Sequence, residues 1–182
     1  EKSTIGFGGG IGMNVLQDNE NKKKFGIEFK DCNFLLNKAT DGETNHIEKH
    51  YSGGAFYYVN DDKLTLSSLT FENCNFVSNF AVGKGGAVYI ETGNQCSLLI
   101  LNCSFYINKA DVDAAAVFVK NGFKFTLESS QFVNNSVSTK TSTDLLIPTD
   151  SLVVVSSSEA TIESNLFIKS SYANLETNVQ TS

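Results

Sequence analysis

Few residues in this chain of 182 combine the types and spacings that chemistry requires. His46-Ile47-Glu48-Lys49-His50 sets two imidazoles four residues apart, which on a helix would face one metal ion, much as in the zinc-binding order His-Glu-x-x-His. The general base of that motif follows the first histidine directly, whereas Glu48 stands two places on, so a solvated loop is expected here. Asp111 and Asp113 could share a calcium ion with a neighbouring segment, but the chain has no Asp-x-Asp-x-Asp-Gly loop. Polar turn chemistry accounts for them and for Asp61 and Asp62. Cys32, Cys74 and Cys103 each stand two residues before a phenylalanine, a parity that points each thiol the way the ring points, while Cys96 lies apart. Buried free thiols are the expected state of that column; a disulfide between neighbours fits the same spacing, and the lack of any Cys-x-x-Cys argues against a metal. Asn102-Cys103-Ser104 and Asn134-Asn135-Ser136 satisfy the acceptor rule for N-glycosylation. With Cys103 inward, Asn102 alternates outward, whereas Asn134 falls beside a bend. These patterns assign no catalytic residue, cofactor or metal ligand.

Composition removes whole classes of function. The chain carries 14 lysines and no arginine against 20 acidic residues, for a net charge of −6. It lacks both the basic field and the forked donors that grip phosphate backbones, so neither nucleic acid nor an anionic membrane surface is an expected partner. No apolar run approaches the roughly 18 residues of a spanning helix, and direct membrane insertion is not expected. Hydrophobic residues make up 41% and charged ones 19%, which suits one globular domain whose polarity is mostly uncharged. With 14 Phe, 6 Tyr, 14 Gly and a single Pro, the chain reads as all-β, short strands joined by tight turns. Residues 1–24 contain neither a signal-peptide core nor an initiator Met, from which a piece of a longer protein is expected.

Internal repetition organises these residues. Asp31-Cys32-Asn33-Phe34 returns as Asn73-Cys74-Asn75-Phe76 and as Asn102-Cys103-Ser104-Phe105, with weaker copies ending at Phe132 and Phe167. Five residues before each of these anchors lies an apolar residue, Phe29, Phe71, Ile100, Leu127 or Ile162, and three after it lies Asn37, Asn79, Asn108 or Asn135, with Ser170 in the last copy. Between anchors a second element recurs as Gly53-Gly54-Ala55, Gly85-Gly86-Ala87, Ala114-Ala115-Ala116 and Asp150-Ser151-Leu152. Each unit holds two or three short strands and no stretch of helical period, which excludes βαβ units and predicts a parallel β-helix, with an antiparallel sandwich of short strands as the alternative. About five coils are expected, over roughly 5–37, 38–79, 80–108, 109–135 and 136–170, with a tail over 171–182. In such a stack the phenylalanines form an internal ladder, and the asparagines sit at a bend where their amides bond one another and the turn backbone.

The pairing of Gly-Gly-Ala-apolar with Phe-x-x-Asn, carried by Gly53-Gly54-Ala55, Gly85-Gly86-Ala87 and the pairs Phe34/Asn37, Phe76/Asn79, Phe105/Asn108 and Phe132/Asn135, resembles the repeats of the polymorphic outer membrane protein family. The resemblance covers about residues 25–170. It implies a right-handed parallel β-helix of the pectin-lyase-like type and a role in adhesion or surface display. β-Helices of that type also include polysaccharide lyases and hydrolases that work with Asp, Lys or Arg, often with calcium; here only Asp61/Asp62, Asp111/Asp113 and the scattered Lys63, Lys84 and Lys109 are available.

The strand after the glycine pair is apolar on both faces: Ala55/Ala87/Ala116 and Tyr57/Tyr89/Phe118 on one, Phe56/Val88/Val117 and Tyr58/Ile90/Val119 on the other. A solenoid wall needs only its inner face buried, so cover from a loop, a neighbouring domain of the same parent chain or a second copy is expected. The expected function is a non-catalytic structural or adhesive module outside the cell or on its surface, glycosylated and self-associating. Carbohydrate cleavage is the alternative, and glycan binding on exposed rows such as Tyr57/Tyr89 is another.

Overall fold

The computed structural model describes residues 9–14, 25–40, 51–60, 66–92, 96–120, 124–138, 153–155, 159–163, 165–168, 174–175 and 180–181. Among these residues the chain is all-β, without helix, and every strand runs parallel to its neighbours in a solenoid-like stack. The first sheet contains Ile11–Asn14, Phe56–Asn60, Val88–Thr92, Val117–Lys120, Val153–Val155 and Asn174–Leu175. The second contains Phe25–Lys30, Leu66–Glu72, Ser97–Leu101, Lys124–Glu128, Glu159–Glu163 and Gln180–Thr181. In the third lie Asn33–Leu35, Asn75–Val77, Ser104–Tyr106, Gln131–Val133 and Leu166–Ile168. The fourth is built from the two-residue strands Lys38–Ala39, Phe80–Ala81, Lys109–Ala110 and Ser136–Val137.

The chain visits the sheets in that order and then returns to the first, so each strand pairs with its equivalent in the next repeat. A repeat therefore contains four strands rather than two or three. The difference lies in the fourth sheet, whose strands of two residues are too short to display any alternation.

Register follows the sequence repeat. Phe34 pairs with Phe76, Phe76 with Phe105, Phe105 with Phe132, and the backbone of Phe132 with that of Phe167. The rings from Phe34 to Phe132 stack with centroids 4.7 Å apart and planes within 3° of parallel. That spacing is the strand repeat itself, so equal rotamers on successive strands produce the stack without further adjustment. The Phe167 ring lies outside the described residues. Phe71, Ile100 and Leu127 in the second sheet and Tyr58, Ile90 and Val119 in the first close the core from the other sides. Each fully buried side chain of this size contributes about 2–3 kcal/mol relative to leaving it in water.

Three columns of left-handed residues turn the chain at its corners. Asp31, Asn73, Asn102 and Ser129 have φ of 50–53° between the second and third sheets, and Leu36, Ser78, Ile107 and Asn134 have φ of 53–57° between the third and fourth. Gly53 and Gly85, with φ of 66° and 65°, turn it into the first sheet. Where the glycine pair is replaced, Ala114 adopts the same conformation with φ 52°, held by the register of its neighbours. The second glycine has a different reason: a Cβ on Gly54 would collide with the carbonyl oxygen of Gly86, and one on Gly86 with that of Ala115.

Candidate functional site

The bend after the third sheet holds a continuous polar column inside the stack. Asn37, Asn79 and Asn108 each donate from Nδ2 to Oδ1 of the next asparagine, Asn79, Asn108 and Asn135 in turn, at 2.9 Å. Each Oδ1 also accepts the backbone N–H of the asparagine before it, at 2.8–3.1 Å. The second hydrogen of Asn79, Asn108 and Asn135 goes back to the carbonyls of Phe34, Phe76 and Phe105. Only a side chain with two donors and a two-lone-pair acceptor closes this pattern, which is why the position is asparagine and why Asn79 and Asn108 are tolerated at full burial.

The cysteine column lines the preceding bend. Cys74 and Cys103 are buried, and all four thiols are free. Cys32 is only half-buried, contrary to the expectation of a fully buried column, because it stands on the outermost described strand pair of the second and third sheets. The single S–H of Cys74 is shared between the carbonyls of Phe29 and Glu72, and that of Cys103 between those of Phe71 and Leu101. Two further residues continue the column with stronger polar groups: Ser130 Oγ donates to the Glu128 carbonyl at 2.9 Å, and Asn165 Nδ2 to that of Leu127 at 3.0 Å. The repeats themselves align these with cysteine, so the column is a carbonyl-satisfying position rather than a redox one. Burial pushes the thiols of Cys96 and Cys103 from the ordinary 9.0 up to about 12, and raises Cys74 as well. Raised values make poor nucleophiles.

Among the described residues the carboxylates do not converge. Asp113 Oδ1 accepts the backbone N–H of Ala114 at 2.8 Å, and its Oδ2 lies 4.0 Å from Lys84 Nζ, which also sits 4.8 Å from the centre of the Phe118 ring. Lys109 lies over the Phe80 ring. Among the described residues no group of three His, Cys, Asp or Glu is placed to share a metal ion. His46, His50, Asp61, Asp62 and Lys63 lie outside the described residues.

On the outside of the first sheet, Tyr57, Tyr89 and Phe118 stack with centroids 5.1 and 5.0 Å apart. They are 4%, 7% and 7% exposed within the single chain, which overturns the expectation of an exposed tyrosine row open to a sugar ring. The hydroxyl of Tyr89 donates to Glu91 Oε2 at 2.8 Å, and Glu91 pairs through its other oxygen with Lys120. Burial first, and the Glu91 carboxylate second, hold the proton on Tyr89. Ala55, Ala87 and Ala116 join the inner core rather than sharing the tyrosine face, because they precede their strands and the bend interrupts alternation there.

Asn102 and Asn134, the glycosylation acceptors, are both exposed. Asn102 donates to Asn73 Oδ1 at 2.8 Å, and Asn73 to Asp31, in a second ladder on the outer surface. Missed by sequence reasoning were the residues just after each anchor: Leu35, Leu36, Tyr106 and Ile107 are the large apolar side chains that stand exposed among the described residues. Their parity against the anchor phenylalanine was the available signal. No helix among the described residues is long and apolar enough to cross a membrane. No family model, curated protein or solved structure matches the chain.

Proposed function

We propose that the chain is a right-handed parallel β-helix of about five coils, of the pectin-lyase-like type and with repeats like those of polymorphic outer membrane proteins, that serves as a non-catalytic structural or adhesive module outside the cell. One observation carries the reading: the continuous internal ladders, aromatic from Phe34 to Phe132 and amide from Asn37 to Asn135. They place aromatic rings and amides in the interior, where they stiffen the stack. Among the described residues, Asp113 is engaged in its turn and lies near Lys84.

Extracellular display draws on the exposure of Asn102 and Asn134. A glycan on Asn102 uses one hydrogen of a primary amide and leaves the other for Asn73. Self-association, or packing against neighbouring domains of a parent chain, extends the module. Electron microscopy of the native-length protein from its source tests the proposal. Fibres or surface arrays uphold it; discrete unassembled particles that cleave a polysaccharide overturn it in favour of a lyase or hydrolase. An unchanged intact mass after deglycosylation removes the glycan from the reading.

A further inference from the structure

The outer face of the third sheet differs from the other surfaces of the stack. Its outward residues, from Asn33 to Val133, carry no charge, in a chain of net charge −6 whose second sheet displays Lys30, Glu72, Lys124 and Glu128. Every large apolar side chain exposed among the described residues stands on this face or at its corner, with Leu35 53%, Leu36 71%, Tyr106 40% and Ile107 45% exposed. Leu36 and Ile107 are also left-handed, with φ of 57° and 54°. That conformation is poor for a bulky or β-branched residue, and Ser78 and Asn134 occupy the same corner in the intervening strands.

Relief therefore alternates along the stack. Register places Leu35 beside Val77, Val77 beside Tyr106 and Tyr106 beside Val133. The bulky pairs Leu35-Leu36 and Tyr106-Ile107 thus form ridges two strand spacings apart, about 9–10 Å. Val77, Ser78 and Val133 are less exposed and, with Asn134, carry smaller side chains than the ridges beside them. Four levels in the order ridge, trough, ridge, trough are self-complementary under a twofold axis that lies in the plane of contact, parallel to the strands, between the Val77 and Tyr106 levels. Such an axis sets the Leu35-Leu36 ridge of one copy over the Val133-Asn134 trough of the other, and the Tyr106-Ile107 ridge over the Val77-Ser78 trough, with both contacts reciprocated.

We propose that this face is an interface with a second copy of the chain, formed by those ridges seating in those troughs. Charge favours the same occupant. Two copies of an acidic protein repel one another, and the described residues of this face let them meet without opposing like charges. The proposal rests on the self-associating reading above and names the surface that performs it, in place of the tyrosine wall that the chain already covers.

This interface requires Asn134 to be unmodified, with a glycan there as its competitor, so sedimentation equilibrium of the unglycosylated chain tests it. The comparison is with Leu36→Asn/Ile107→Asn, which takes the apolar corner residue from each ridge and installs the residue that already takes the left-handed corner at Asn134. Wild type is expected to dimerise, and the double variant to weaken dimerisation by about tenfold or more with an unchanged circular dichroism spectrum and a melting temperature no lower. Equal dimerisation of the two proteins would overturn this interface while leaving a self-associating scaffold standing. A wild type that stays monomeric to about 1 mM would overturn the second-copy assignment, and binding of cellohexaose lost in Tyr106→Ala would then give the face to a neutral sugar.

Discussion

Replacing Asn108 by alanine tests the amide ladder at its centre. The side chain makes four hydrogen bonds: Nδ2 donates to the Phe76 carbonyl at 2.8 Å and to Asn135 Oδ1 at 2.9 Å, and Oδ1 accepts from Asn79 N at 3.0 Å and Asn79 Nδ2 at 2.9 Å. Alanine removes them all. Asn79 Nδ2 keeps its bond to the Phe34 carbonyl and Asn135 Oδ1 keeps the one from Asn108 N, but the buried N–H of Asn79 loses the partner it had. One stranded N–H costs about 1–3 kcal/mol and each of the three further bonds about 1 kcal/mol, for a loss of roughly 4–6 kcal/mol. In a chain of this size that lowers the melting temperature by about 8–24 °C. Asn37 at the ladder's end provides the control. Its side chain donates one bond to Asn79 from a half-buried site, so Asn37→Ala is expected to cost under about 1 kcal/mol. Urea titration followed by far-ultraviolet circular dichroism measures both. A cost below about 1.5 kcal/mol at Asn108, or equal costs at the two positions, would refute the view that ladder bonds rather than side-chain volume hold this bend.

Gly86→Ala should destabilise by more than about 2 kcal/mol in the same titration, since the new Cβ collides with the carbonyl oxygens of Ala115 and Lys109, which are backbone and cannot swing aside. Tyr89→Ser should cost about 3 kcal/mol through loss of the Tyr57 and Phe118 stack, and leave the association state untouched because that stack is internal. Thiol titration at pH 8 should label Cys32 while Cys74, Cys96 and Cys103 react only on unfolding. Alkaline stability follows from the same burial. With Cys96 and Cys103 raised from 9.0 to about 12 in the fold, the unfolded chain releases those protons first. Stability is therefore full below pH 9 and declines as pH rises toward 12, by about 1.4 kcal/mol per pH unit for each thiol; a flat profile across that window would refute the burial.

Much of the interior could be read from the chain because a solenoid converts sequence period into vertical contact. Phe34, Phe76, Phe105 and Phe132 recur at unequal steps of 42, 29 and 27 residues, yet pair strand to strand, since loops absorb the difference and strands do not. The Phe-x-x-Asn spacing likewise placed Asn37, Asn79, Asn108 and Asn135 in one column. Less legible were the corners. Nothing local marks Leu36 or Ile107 as left-handed; the parallel register imposes φ on whatever residue stands there. Ser130 and Asn165 align with the cysteines through the repeat, and the structure adds the reason, a backbone carbonyl at each level that the side chain satisfies.

The candidate surfaces divide in the same way. Sequence by itself determined the all-β character, the repeat and which residues share a column, because each depends on short spacings along one chain. Tertiary structure decided which apolar rows meet water. Tyr57 and Tyr89 alternate outward as Leu35 and Tyr106 do, yet the first pair is buried and the second exposed. Alternation reports the side of a strand on which a residue lies, and burial depends on what other segments of the fold lie against that side.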